Sequence, residues 1–281
     1  MKTHSRAGFG GAFRLTMITN DPVLAAHADA AGVDRVGIDL EVLGKQARQS
    51  IMDPRISDHS LTDLKAVAPA LSRARAFVRI NPLNVGSQDE IEAVLAAGAQ
   101  DVMLPYFHSP SQVERFVRLI DGRAKAVILI ETQLALAHAR EILAVGGVDE
   151  AMLGLNDLCV DLAMSSPFEV LVSHHAMMAA EEAARAGVVF SVGGVAPPDT
   201  ACLPVDPDLV LAQYPRLGAT GAWLSRDFMA QSPGAAGVAR GVLAIRAGLD
   251  RWAGASPEML EQARVQLAEA ARPFEPQSAA K

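Results

Sequence analysis

Short, continuously apolar runs recur along the chain, separated by longer stretches with a helical period. The runs are 13–18, 35–40, 76–80, 101–104, 126–130, 151–153, 188–192 and 222–224. Most do not alternate between apolar and polar residues, which is how strands of a parallel sheet read when both faces are covered. Between them, Leu61, Leu64, Ala68 and Leu71 share one helical face, as do Ile91, Val94 and Leu95, and Val113, Phe116, Val117 and Ile120. That spacing marks helices with one buried stripe. Asp21-Pro22 and Ser109-Pro110 read as an N-cap followed by a first-turn proline, and Gly98 stands where a helix would end.

Eight strand–helix units over about 230 residues match the arithmetic of a (β/α)8 barrel. A doubly wound open sheet fits less well, because no Gly-x-Gly-x-x-Gly follows the first strand. Gly8, Gly10 and Gly11 precede that strand. The pattern therefore predicts a flexible leader over 1–12, a single α/β domain over 13–270 and a disordered tail over 271–281. The domain is a TIM barrel with extra C-terminal helices. One of these carries the stripe Val238, Val242, Ile245 and Leu249; a second begins at Ser256-Pro257. This surplus predicts subunit contacts and a homo-oligomer; packing on the chain's own barrel is the competing expectation.

Composition narrows the class. Of 281 residues, half are hydrophobic and 20% charged, enough for a large core, with a formal net charge of −7. That balance argues against a nucleic-acid partner. The polar, glycine-rich start is not a signal peptide, and no run approaches the ~20 apolar residues of a membrane span. Cys159 and Cys202 form no CxxC pair and no disulfide framework. The expectation is a soluble, cytoplasmic protein.

In a (β/α)8 barrel the chemistry lies at the C-terminal ends of the strands. There the chain places Asp39 and Glu41, then Arg79-Ile80-Asn81-Pro82, His108, Glu131-Thr132, and Gly154-Leu155-Asn156-Asp157. Glu131 follows five apolar residues, where a carboxylate is costly unless its charge is compensated. Asp157 ends the next strand, about 4.8 Å away in a sheet. Two carboxylates at one height suit a divalent oxygen-seeking cation such as Mg²⁺. Helix capping is the alternative for both. Arg79 can bind a carboxylate or an enolate oxygen, or can form an ion pair with Asp39 or Glu41. Ser191 and Ser225 lack a nucleophile's context, and His174-His175 lie in a helix remote from the predicted rim. Lys65 and Lys125 end no strand, which leaves no obvious Schiff-base lysine.

The set Asp39-Leu40-Glu41, Arg79-Ile80-Asn81-Pro82, Ile130-Glu131-Thr132 and Gly154-Leu155-Asn156-Asp157-Leu158 resembles the HpcH/HpaI aldolase and citrate lyase beta subunit family. The similarity runs in order from about residue 13 to 228, and four motifs in register are far more specific than any one. The resemblance implies a phosphoenolpyruvate/pyruvate-type barrel with Mg²⁺, or Mn²⁺ or Co²⁺, held by Glu131 and Asp157. It implies that Arg79 contacts the keto or enolate oxygen, and that Gly154, Asn156 and Asp157 hold the substrate carboxylate through their turn. The expected activity is a metal-dependent carbon–carbon lyase or aldolase acting on a 2-oxo acid, in a trimer or hexamer.

One position departs from the pattern. The aldolase branch carries a histidine directly after the second strand's glutamate, and the acyl-CoA lyase branch carries an acidic residue there. This chain has Val42. Asp39 and Glu41 remain catalytic candidates, and Lys45, Arg48 and His108 are candidates to replace the histidine or to bind an anionic substrate. The departure keeps open a Claisen-type reaction of the citrate lyase or citrate synthase kind, using an acyl-CoA or oxaloacetate. A catalytically silent metabolite-binding barrel is the reading outside enzymes; the joint presence of Glu131, Asp157 and Arg79 argues against it.

Overall fold

The computed structural model of the chain describes residues 8–45, 57–201 and 203–271. Arg48, Cys202 and the expected tail beyond Ala271 lie outside the described residues. Eight parallel strands close into a barrel in sequence order: β1 (Arg14–Ile18), β2 (Arg35–Asp39), β3 (Arg75–Arg79), β4 (Asp101–Leu104), β5 (Lys125–Ile130), β6 (Glu150–Leu153), β7 (Val189–Val195) and β8 (Gly221–Leu224). The last strand pairs with the first through Arg14↔Gly221. Most strands differ from the expected runs by a residue or two at an end, where polar residues such as Arg75, Lys125 and Glu150 begin a strand that its apolar stretch only continues. β7 extends three residues further, to Val195.

Helices surround the barrel: α1 (Phe9–Ala12), α2 (Pro22–Ala31), α3 (Leu61–Val67), α4 (Ser87–Ala96), α5 (Pro110–Ile120), α6 (Gln133–Ala137), α7 (Ala139–Leu143), α8 (Leu155–Asp161), α9 (Pro167–Val172), α10 (His174–Ala186), α11 (Pro207–Leu217), α12 (Arg226–Gln231), α13 (Gly234–Ala253) and α14 (Pro257–Ala270). Their starts follow local chemistry. The Asp21 side chain accepts from the Val23 N–H ahead of Pro22, and Ser60 and Asp63 close a capping box at α3.

The strands look continuously apolar because their two faces meet two different cores. Phe77, Met103, Val127, Leu129 and Met152 fill the barrel interior. Val78, Ile80, Val102, Ile128 and Leu153 face the helices. Side chains alternate along a strand. From Phe77 inward, the period of two carries Arg79 inward, and from Leu129 it carries Glu131 inward. Register aligns Asp39 with Arg79. Gly37, between Arg35 and Asp39, is required by close approach: a Cβ there would fall 1.6 Å from the Phe77 carbonyl oxygen.

Two expectations are corrected. Residues 9–12, assigned to a flexible leader, form a helical turn docked on α13. The Gly10 N–H donates to Asp250 Oδ1 at 2.7 Å, and the Arg246 guanidinium donates to carbonyls of Gly10, Phe13 and Gly32. The stripe Val238, Val242, Ile245 and Leu249, expected between subunits, is buried on the chain's own barrel, where α13 packs against α1, α2 and α11. Gly237, Gly241 and Gly248 on this helix let it approach closely. The stripe therefore gives no support for subunit contact.

Candidate active site

Two groups of charged side chains meet at the C-terminal end of the barrel. The first is a buried quartet. Arg79, at the end of β3, grips Asp39 of β2 with both prongs of its guanidinium: Nε to Oδ1 at 2.8 Å and Nη2 to Oδ2 at 2.6 Å. Its Nη1 lies 3.3 Å from Glu41 Oε2. The Lys45 amine bridges the same carboxylates, 3.1 Å from Asp39 Oδ2 and 3.3 Å from Glu41 Oε2. The Trp223 ring lies 4.9 Å from the Arg79 guanidinium, a cation–π contact. Burial opposes the Asp39 carboxylate, but the charge and hydrogen bonds of Arg79, then Lys45, outweigh it and hold its carboxyl well below the usual range. Burial likewise opposes the Arg79 cation, and Asp39 and Glu41 overcome it, so its pKa is raised. The ion-pair and functional readings of Arg79 are thus compatible: the pair fixes the guanidinium in the site.

The loop after β2 is anchored from its neighbour. Asn81 Oδ1 accepts from the Val42 and Leu43 N–H groups at 2.9 and 3.0 Å, and the Asn81 amide donates to Glu90 Oε1 at 2.8 Å. Val42 is left 44% exposed at the rim. His59, which sequence reasoning missed, accepts the Asp39 N–H on Nδ1 at 3.1 Å. No motif marks this contact, because it arises only when residues 57–60 fold back over β2.

The second group is acidic. Glu131 is 2% exposed at the end of β5, and Asp157 is 6% exposed in the first turn of α8. Glu131 does not cap the following helix; the Thr132 hydroxyl does, accepting from the Ala135 N–H at 3.0 Å. Its Oε1 accepts instead from the Tyr106 N–H at 2.9 Å. Gly154 leaves room for it, since a Cβ there would lie 2.8 Å from Glu131 Cβ and Oε2. Burial, then the charges of Glu41 and Asp157, push the Glu131 carboxyl well above its usual value, and Arg79 and the Tyr106 amide offset only part of this. A cation beside Glu131 would relieve this opposition to its charge. The residues therefore fit a divalent metal. Among the described residues no group of three or more His, Cys, Asp or Glu is arranged to hold an ion. Two carboxylates suffice for Mg²⁺, which usually keeps waters and substrate oxygens as its other ligands.

Other singled-out residues fall outside these groups. His108 packs edge-on against Tyr106 at a ring separation of 5.0 Å, its Nδ1 buried without a hydrogen-bond partner. Asn156 is exposed at the start of α8. The Cys159 thiol is pushed up by burial and donates to the Met164 carbonyl. Ser191 bonds Glu150 at the opposite end of the barrel, and Ser225 caps α12.

This arrangement coincides with a sequence match. Residues 15–198 match the HpcH/HpaI aldolase/citrate lyase family. The chain belongs to that family. HpcH/HpaI aldolase/citrate lyase members are lyases or aldolases acting on carbon–carbon bonds. No protein of curated function matches the chain. Among solved structures, an HpcH/HpaI aldolase from Desulfitobacterium hafniense DCB-2 aligns at TM-score 0.60 and 19% identity, over 77% of this chain and 86% of that one. A citrate lyase beta subunit from M. tuberculosis, complexed with oxaloacetate and magnesium, aligns at 0.59 and 20%, over 86% and 98%. The citrate synthase SbnG aligns at 0.58 and 19%, over 77% and 86%. At such identities the structural likeness is one of fold. No described helix is long and apolar enough to cross a membrane.

Proposed function

We propose that the protein is a divalent-metal-dependent carbon–carbon lyase or aldolase that works through the enolate of a 2-oxo acid. The observation that carries this reading is the buried Glu131–Asp157 pair. Burial and the charges of Glu41 and Asp157 oppose the Glu131 carboxylate, and Arg79, shared with Asp39 and Glu41, offsets only part of this. A divalent cation, Mg²⁺ first among candidates, supplies Lewis acidity toward the carboxylate and keto oxygens of such a substrate. Magnesium and oxaloacetate in the citrate lyase beta subunit support the choice of cation and substrate class.

The chain's own residues do the rest. Glu131 and Asp157 hold the cation. Arg79, fixed by Asp39 and Glu41, stabilises the negative charge that develops on the keto oxygen as the enolate forms. The amides of the Gly154–Asp157 turn hold the substrate carboxylate. Lys45, expected to bind an anionic substrate, is instead buried with its amine between Asp39 and Glu41, where it balances their charge. With valine at 42, the proton is moved by a group other than a histidine at that position. The Claisen-type alternative has the same observation behind it, since Val42 removes the side chain expected of an aldolase. The test is deuterium exchange at C3 of pyruvate and of oxaloacetate in D₂O with Mg²⁺. Exchange that EDTA abolishes supports an enolate enzyme. Absence of exchange with either acid, alongside normal metal binding, counts against it.

A further inference from the structure

Tyr106 follows Pro105 at the end of β4 with φ at +45°, in the left-handed region where a residue with a side chain is strained. β4 and β5 are in register through Leu104↔Ile128. Two residues further, the β4 chain leaves the ladder and each backbone group takes a separate partner. The Tyr106 N–H donates to Glu131 Oε1 at 2.9 Å. The Phe107 carbonyl accepts from the Thr132 hydroxyl at 2.8 Å. The His108 N–H donates to Gln112 Oε1 at 2.7 Å. Residues 106–107 thus clamp 131–132 at two points. Phe107 and Thr132 are both buried, which leaves this clamp little freedom.

We propose that Tyr106 is a positioning residue of the metal centre: its left-handed backbone carries the chain on to the Thr132 and Gln112 contacts while its own N–H stays on Glu131, and the amide so pinned holds that carboxylate in the orientation a cation requires. The proposal rests on the metal reading above. A carboxylate carries several lone pairs. Committing one on Oε1 to a fixed amide restrains the rotation of the group and so fixes the direction of its remaining lone pairs. Regular extended backbone at 106 would carry the following residues away from Thr132 and Gln112, and the amide on Glu131 would lose the contacts that pin it. Strain at a non-glycine residue persists where surrounding structure enforces it, and it gathers at functional positions. Here the enforcing structure is the preceding proline, the Thr132–Phe107 bond and the Gln112 cap.

The test separates the amide from the ring. Incorporating the α-hydroxy acid analogue of tyrosine at 106 turns the amide into an ester and removes the N–H while keeping the side chain. Tyr106→Gly keeps the N–H, tolerates the positive φ and removes the ring. Mn²⁺ affinity is read from the electron paramagnetic resonance of free Mn²⁺, without substrate, and melting is measured without metal. The expectation is an Mn²⁺ Kd raised about 10-fold or more by the ester, as for other groups that orient a metal ligand. Tyr106→Gly should stay within about twofold of the parent. An ester protein that melts like the parent and binds Mn²⁺ as tightly overturns the proposal. So does Tyr106→Gly weakening Mn²⁺ as much as the ester does. A parent chain that binds no Mn²⁺ at millimolar concentration overturns the metal reading itself, and this proposal with it.

Discussion

The two ends of the barrel handle buried charge in opposite ways. At the N-terminal end Arg35 reaches Asp101 and, at 2.7 Å, Glu150. Arg14 also pairs with Glu150, Arg75 pairs with Asp101 at 2.6 Å, and the Ser191 hydroxyl donates to Glu150. Each carboxylate there faces two guanidinium groups. Burial opposes the Glu150 carboxylate, but Arg35 and Arg14 outweigh it and lower its pKa. At the C-terminal end Arg79 and Lys45 hold Asp39 low in the same manner, yet beside them burial and the charges of Glu41 and Asp157 push Glu131 well above its usual value. One end is finished as protein. At the other, the Glu131 carboxyl resists ionisation, and that asymmetry distinguishes the site proposed above from the plug at the opposite end.

The comparison breaks most sharply by neutralising one carboxylate at each end. Glu131→Gln should lower turnover by about 10³-fold or more, the several kcal/mol that a Lewis acid contributes. It should leave the metal-free protein as stable as before or slightly more so, because it removes a carboxyl whose ionisation burial resists. Asp157→Asn should lower turnover alike. Glu150→Gln should do the reverse. It leaves Arg35 buried with one partner fewer, at a cost of about 3–5 kcal/mol. Melting should then fall by about 10 °C for a chain of this size, with activity per folded molecule retained. Thermal melts and Mg²⁺-dependent turnover on the three variants check this. If Glu131→Gln destabilises as much as Glu150→Gln, the asymmetry is not real.

Arg79 belongs to both descriptions, as an ion-pair partner and as a group facing the acidic pair. Arg79→Lys keeps the charge and loses the two-pronged grip on Asp39. Turnover should fall about 10²–10³-fold, with a smaller change in KM for the 2-oxo acid, because stabilisation of a developing charge is a transition-state effect. Steady-state kinetics on pyruvate exchange measure the split. An effect confined to KM would make Arg79 a ground-state binding residue.

Acid titration distinguishes the ends by sign. Asp39 and Glu150 have folded pKa values below their ordinary 3.8 and 4.5. Their stabilisation is complete above those values and is lost as pH falls through the lower folded ones. Glu131 is raised above 4.5. Its protonated form favours the fold at and below that value, and the advantage fades as pH rises through the raised one. Each group contributes at most about 1.4 kcal/mol per pH unit. Denaturant melts of the metal-free protein across pH should therefore show Glu150→Gln flattening the acid limb below 4.5. Glu131→Gln should flatten the decline above it.

Much of this was legible in the sequence, for a definite reason. Period-two alternation places Arg79 and Glu131 inside once a barrel is assumed, and the apolar runs that reveal the barrel end at those residues. Asp157, expected to end the next strand, stands instead in the first turn of α8, because β6 stops at Leu153 and the helix begins two residues later. The leader was misread because Gly10 looks like a flexible residue when it is a packing residue. Its contact partners, Arg246 and Asp250, lie some 240 positions away, and no local pattern carries that. The same distance hid the role of α13, whose apolar stripe is equally compatible with a neighbour or with its own barrel. His59 and Tyr106 were missed because their roles are backbone contacts, which leave no signature in residue type.

The smallest effect concerns Val42. A histidine there would need a carboxylate to orient it, and Asp39, three residues earlier at the end of β2, is the candidate. Asp39 is already saturated. Oδ1 accepts from Arg79 Nε and the Glu41 N–H, and Oδ2 accepts from Arg79 Nη2 and Lys45 Nζ. A carboxylate offers about four lone-pair positions, so none remains. Val42→His should thus leave pyruvate exchange within about twofold of the parent and stability within about 0.5 kcal/mol, as for an ordinary rim substitution. Removing Lys45 frees one position on Oδ2. Against a Lys45→Ala background, Val42→His should therefore raise exchange, and the rise should need a deprotonated imidazole, appearing above about pH 6.5. The double-variant cycle measures the coupling between the two positions. A large gain from Val42→His alone would show that Asp39 is less saturated than its four donors indicate. No gain in either background would mean that this site has given up its histidine chemistry and moves the proton elsewhere.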